Sequence, residues 1–162
     1  MRLVYYLVTY TIDLLSRILC RVDESQLSRV PQQGPLILVV NHVNFLDVPL
    51  LYTRLLPRRV TALVKVELYH NPLTALVATT WQGIPIRRGE ADVDALRKGL
   101  DVLKKGHILA VAPEGTRSGH GRLQRGLPGT VLLALHSGAP LLPLVYYGHE
   151  SFWDNLKHLR RT

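Results

Sequence analysis

Five short apolar runs, at 36–40, 60–64, 83–86, 108–112 and 141–146, recur along the chain with longer mixed segments between them. The runs are near-continuous in Leu, Ile, Val and Ala rather than alternating with polar residues, the pattern of strands covered on both faces. The segments between them, 47–56, 68–81, 93–104 and 127–136, read as helices. Strands and helices in this order predict an α/β layered domain with a mostly parallel sheet flanked by helices. A chain of 162 residues is most simply one such domain, and burying roughly 68–70% of its unfolded surface supports a true core.

Ahead of this pattern, residues 1–20 read as an amphipathic helix. At 100° per residue, Arg2, Tyr6, Thr9, Asp13, Ser16 and Arg17 share one arc, and apolar side chains fill the remainder except at Thr11. The segment is near the minimum spanning length of about 20 residues, and it carries three charges, so it is expected to lie in a membrane interface rather than cross it. Packing on the domain's own core is the competing expectation. Asp13 and the lack of a small-residue cleavage site argue against a signal peptide. The organisation expected is therefore an interfacial helix over 1–20 and one domain over 21–162.

Charge narrows the partners. Twenty Lys and Arg against twelve Asp and Glu give a formal charge of +8, which suits a phosphate ester, a lipid headgroup or a nucleic acid. No RNP, zinc-finger or helix-turn-helix pattern is present, so nucleic acid is not the expected partner. Hydrophobic residues at 47% and charged residues at 20% exclude a disordered chain and leave apolar surface for lipid. The single Cys20 excludes a disulfide framework and fits a reducing compartment. His70, His107, His120, His136, His149 and His158 have no zinc-ligand spacing, and Ser118 and Ser137 lie outside any nucleophile elbow.

Chemistry-bearing residues gather where the runs end. Asn41 and His42 close the first run, and Asp47 opens the following helix. A carboxylate one helical turn away can fix the tautomer of an imidazole and leave its other nitrogen as a base, whereas the alternative makes His42 structural and Asp47 a helix cap. The loop Pro113-Glu114-Gly115-Thr116-Arg117-Ser118-Gly119-His120-Gly121-Arg122 follows the fourth run. Its glycines let amides approach an anion and its arginines supply charge, although an ordinary turn has the same composition. Arg87 and Arg88 emerge from the third run, and Pro140 and Pro143 bound the fifth. The stretch 54–59 adds a basic loop.

In their order along the chain these blocks, Asn41-His42 through Asp47, Ile86-Arg87-Arg88-Gly89, Pro113-Glu114-Gly115-Thr116-Arg117-Ser118 and Pro140 to Pro143, resemble the four motif blocks of the glycerolipid acyltransferases. The similarity runs from about Gly34 to Gly148 and is nearest to the bacterial 1-acyl-sn-glycerol-3-phosphate acyltransferases of the PlsC type. The resemblance implies that His42 is a general base and Asp47 its orienting partner. It further implies that Arg88, Glu114, Gly115, Thr116 and Arg117 build a site for the acceptor phosphate, and that Pro143 serves acyl-donor binding or packing. The implied reaction moves an acyl group from an acyl-CoA or acyl-ACP thioester to lysophosphatidic acid. That reaction gives phosphatidic acid, with no cofactor or metal, at the cytoplasmic face of the cell membrane. Acyl carrier protein is then a partner. Another lysolipid acceptor, such as lyso-ornithine lipid, or a non-catalytic anionic-lipid-binding relative are the alternatives. Asn44 stands where serine is frequent, Arg125 where lysine is frequent, and family members usually continue further past the fourth block, which makes this a short member or a fragment.

Overall fold

The computed structural model describes residues 2–118, 122–148 and 150–162. Gly119, His120, Gly121 and His149, and the side chain of Arg2, lie outside the described residues. Helix α1 (Arg2–Leu19) precedes five strands, β1 (Leu36–Val40), β2 (Val60–Lys65), β3 (Ile84–Ile86), β4 (Ile108–Val111) and β5 (Leu141–Leu144). The strands form one sheet in the order β3-β2-β4-β1-β5, and every pairing is parallel. Between them run α2 (Asp47–Arg54), α3 (Pro72–Thr80), α4 (Val93–Lys104) and α5 (Gly129–Ser137), with α6 (Phe152–Lys157) after β5.

The apolar runs work as both-face strands. Leu36, Leu38, Ile108 and Ala110 pack on one side with Leu51, Tyr52 and Leu55 of α2, while Ile37, Leu109 and Val111 pack on the other with Ala95, Leu103 and Leu133 of α4 and α5. The adjacent central strands β1 and β4 send their chains to opposite faces, β1 into α2 and β4 into α5. Connections that diverge in this way open a crevice at the carboxyl ends of the two strands, where α/β sheets bind ligands.

Three elements differ from the apolar periodicity. The fifth strand stops at Leu144 instead of Tyr146 because the Asn41 side chain replaces the ladder: its Nδ2 donates to Tyr146 O and its Oδ1 accepts from Tyr146 N, both at 2.7 Å. The helix expected over 68–81 divides into a 3₁₀ turn, Val66–His70, and α3. Asn71 precedes a proline and is therefore extended, and its Oδ1 accepts from Leu73 N and Thr74 N to start a new helix with Pro72 in its first turn. The basic stretch 54–59 is not simply a solvated loop. Arg58 is buried and donates to the carbonyls of Pro31, Gly34 and Gly106, and Arg54 crosses to α1.

Helix α1 turns Thr9, Asp13 and Ser16 of its polar arc to the domain, leaves Tyr6 and Arg17 of that arc exposed, and keeps much of its apolar side to the outside. Thr9 is fully buried and accepts from Trp81 Nε1 at 3.0 Å, while Ser16 accepts from Arg54 Nη2 at 2.9 Å and Asp13 pairs with Arg54 Nη1. Arg54 Nε also lies 2.7 Å from Glu24 Oε1. Tyr5 and Ile12 pack on the core beside these contacts. Leu3, Leu7, Tyr10, Leu14 and Ile18 all remain more than half exposed.

Candidate active site

The loop from β1 into α2 folds around one carboxylate oxygen. Asp47 Oδ2 lies 2.7 Å from His42 Nδ1 and accepts from the backbone N–H of Val43 at 2.7 Å and of Asn44 at 3.1 Å. An ionised carboxylate only accepts, so the proton of the neutral imidazole sits on Nδ1 and Nε2 is left with a lone pair. The Asn44 side chain shapes the same loop by accepting from Leu46 N at 2.8 Å, an Asx turn that a serine hydroxyl can also form. Asp47 is in the first turn of α2, where the helix dipole favours its charge. The side chains of His42 and Asp47 are 12% and 3% exposed, so the pair is shielded while the imidazole still meets the crevice.

Two cross-links hold this loop against its neighbours. Ser118, buried, donates from N to His42 O at 2.8 Å and from Oγ at 3.3 Å, tying the β4 loop to the β1 loop. The Asn41 to Tyr146 tie fixes the other side. Burial, together with the nearby Asp47 charge, pushes the Tyr146 phenol well above its ordinary value, so it stays neutral. Neither residue was singled out as a site residue by motif, although Asn41 adjoins His42 and Ser118 closes the Glu-Gly-Thr-Arg block.

The loop after β4 carries the second half of the site. Arg117 Nε donates to His42 Nε2 at 3.4 Å, so the imidazole nitrogen turned away from Asp47 faces a guanidinium. Thr116 and Arg117 are exposed, whereas Glu114 turns inward and its Oε2 accepts from Gln124 N at 3.0 Å. Its Oε1 is buried without a hydrogen-bond partner among the described residues. Gly115 sits at φ +68°, where a Cβ would lie 2.7 Å from Leu127 Cδ1. Arg88 follows β3 and shares the field of the loop: burial first, and the Arg117 charge second, hold its guanidinium below the usual arginine value. The crevice therefore combines one oriented base with two cations.

Pro143 stands apart from that cluster. It is on the edge strand β5 in register with Val39, and it lines a cavity of about 660 Å³ between α2 and β5. Leu50, Leu51, Leu55, Leu142, Leu144 and Tyr146 make much of its wall. Ile37 N donates to Pro140 O, a register in which residues 142 and 144 bond β1 and Pro143 points its missing donor to the open edge. The described residues contain no group of His, Cys, Asp and Glu able to hold a metal ion.

The chain is similar to several known proteins. The acyltransferase family model matches residues 21–147. A chloroplastic 1-acyl-sn-glycerol-3-phosphate acyltransferase of Brassica napus is 30% identical over 132 residues, covering 79% of this chain and 38% of that protein. The 1-acyl-sn-glycerol-3-phosphate acyltransferase of Bacillus subtilis is 27% identical over 75% of this chain and 60% of its own length. A lyso-ornithine lipid O-acyltransferase of Pseudomonas aeruginosa is 33% identical over 75% of this chain and 46% of its length. The crystal structure of the PlsC acyltransferase from Thermotoga maritima has the same fold, with a TM-score of 0.67 at 24% identity over 90% of this chain and 60% of that one. The chain thus spans less than two thirds of the length of these relatives.

Proposed function

Because the chain belongs to the acyltransferase family, we propose that it transfers a fatty acyl group from a thioester to the free hydroxyl of 1-acylglycerol-3-phosphate, giving phosphatidic acid. The observation that carries this reading is the His42 imidazole, protonated on Nδ1 by its contact with Asp47, with Nε2 directed at Arg117.

The reaction follows from that geometry. The acceptor phosphate draws Arg117 away from Nε2, and Arg88 lies close enough to share the charge. The glycerol hydroxyl then takes the vacated position and gives its proton to Nε2 as its oxygen attacks the thioester carbonyl. The tetrahedral adduct collapses, the C–S bond breaks, and the imidazolium returns the proton to the departing thiolate. Asp47 stabilises the imidazolium between these steps. General-base help of roughly 10²–10⁴ in rate is the contribution asked of His42. The thioester brings its own leaving group, so neither a cofactor nor a metal is needed. Glu114 would repel a phosphate, and its bond to Gln124 suits it to holding the loop in shape. The cavity beside Pro143 suits a fatty acyl chain along the leucines that α2 and β5 contribute to its wall.

The exposed apolar face of α1 supports a reading in which this chemistry runs at a membrane surface, the cytoplasmic face of the cell membrane being where acyl-CoA or acyl carrier protein delivers thioesters. No helix among the described residues is long and apolar enough to cross a bilayer. An exposed apolar helix face of this kind suits interfacial adsorption.

A second acceptor is favoured by one observation, the 33% identity to a lyso-ornithine lipid acyltransferase. Purified protein, a labelled acyl thioester and a panel of lysolipids, read by lipid chromatography, separates the two. Transfer to lysophosphatidic acid that disappears in His42→Ala is expected. No transfer to any acceptor from folded protein in lipid would leave a binding module instead.

A further inference from the structure

The loop that joins His42 to Asp47 carries an exposed aromatic residue, Phe45, which takes no part in the reaction. Its ring stacks on Trp153 of α6, with centroids 5.1 Å apart and planes at 27°, and meets Phe152 edge-on at 5.5 Å. The two aromatic residues of α6 have opposite fates. Phe152 is buried with Cys20, Leu46 and Leu50, whereas Trp153 is 56% exposed. One residue anchors the helix and the next displays an indole beside the mouth of the site.

Basic side chains continue from this stack. Lys157, exposed and 3.5 Å from Asp154 in a solvent-facing pair that an anionic headgroup can compete with, is followed by the exposed Arg160, and Arg161 donates to the carbonyls of Arg17 and Cys20 at the end of α1. The patch therefore joins the helix whose outer face is apolar. An indole next to cations is the combination that partitions into the headgroup layer of a bilayer, the ring sitting at the polar boundary and the cations meeting anionic lipid. The formal charge of +8 has the same sign.

We propose that the Phe45–Trp153 stack and the adjoining Lys157 and Arg160 form a second lipid contact, which docks on an anionic bilayer and holds the mouth of the site at the headgroup layer. The proposal rests on the membrane-surface reading of α1 given above and adds an orientation to it. Helix α1 alone leaves the domain free to tilt about its axis, and a second contact at α6 removes that freedom. A lysolipid can then slide sideways from the headgroup layer to His42 without leaving the membrane.

The two tryptophans make the test direct, because Trp81 is 3% exposed and stacked on Tyr52, so its emission reports the interior. The full chain is mixed with vesicles of phosphatidylglycerol and phosphatidylcholine, and the emission absent from Trp153→Phe is isolated by difference. That emission is expected to move to shorter wavelength and to be quenched by brominated phospholipid. In Lys157→Gln with Arg160→Gln, several-fold more anionic vesicle should be needed for half the shift. Vesicles that sediment the protein while the Trp153 emission is unmoved and unquenched would overturn the proposal and leave the membrane reading of α1 intact. Failure to sediment at all would remove both. An equal shift with pure phosphatidylcholine would remove the anionic contact.

Discussion

Arg117 and His42 sit on loops from neighbouring strands, and the guanidinium Nε of the first donates to the imidazole Nε2 of the second at 3.4 Å. The nitrogen proposed as the base is therefore covered by the cation proposed to meet the acceptor phosphate. A charge-assisted hydrogen bond is worth about 1.5–3 kcal/mol, so Arg117→Gln should raise KM for lysophosphatidic acid on the order of 10- to 100-fold. The change should be much smaller for an acceptor without phosphate. Steady-state rates with both acceptors check this, and equal losses on the two would mean that Arg117 acts on the base rather than on the phosphate.

Asp47→Asn tests the charge. His42 Nδ1, Val43 N and Asn44 N all meet the same oxygen, Oδ2, so an amide oxygen in that place keeps all three contacts and the Nδ1–H tautomer while removing the negative charge that would stabilise the imidazolium. A fall in kcat is expected with an unchanged near-ultraviolet circular dichroism spectrum, smaller than that of His42→Ala, which should lose roughly 10²–10⁴. Steady-state rates of the two variants check this, and equal losses would mean that the amide NH₂ had turned to Nδ1 instead.

Arg54→Ala removes the cation that joins α1 to α2. The Arg54 side chain is 4% exposed, while Asp13 and Glu24 are 19% and 37% exposed and can rehydrate in part. The loss should fall at the low end of the range for breaking a buried pair, about 3 kcal/mol. Urea denaturation followed by Trp81 emission measures it, because Trp81 donates to Thr9 on the same helix. An unchanged midpoint would mean that the Arg54 link between α1 and α2 contributes nothing to stability.

Gly115→Ala should cost about 1–2 kcal/mol, the penalty of a Cβ in the left-handed region, at a residue whose φ is +68°. The added methyl also meets Leu127 Cδ1, but that side chain is 53% exposed and can turn away. Thermal melts of Gly115→Ala and of Gly115→Ala with Leu127→Ala should therefore agree once Leu127→Ala alone is subtracted. Substantial recovery in the double variant would assign the cost to the clash instead.

The parallel sheet was legible because a strand covered on both faces writes itself as an unbroken apolar run, as in Leu36–Val40. The early end of β5 was not, since it depends on Asn41 bonding a backbone 105 residues away. The spacing of His42 and Asp47 lies within one loop and was readable, whereas the contact of Arg117 with His42 exists only because β1 and β4 are neighbours. Periodicity grouped Thr9, Asp13 and Ser16 on one arc of α1 but could not say which way that arc faced. The partner that decides it, Arg54, belongs to another helix. For the same reason Pro143 stood out as a motif residue while its position on the open edge required the register with Val39.

The inward turn of Thr9, Asp13 and Ser16 also sets when the ordering of α1 takes place. A free amphipathic peptide gains its helix and selects its roll angle on reaching lipid, and the entropy lost in that step weakens its adsorption. In this chain both are settled by the Trp81 and Arg54 contacts before any membrane is met. Under the proposed contact of α1 with lipid, adsorption is a rigid-body event whose strength tracks the apolar area already on display, with no rise in helicity to accompany it.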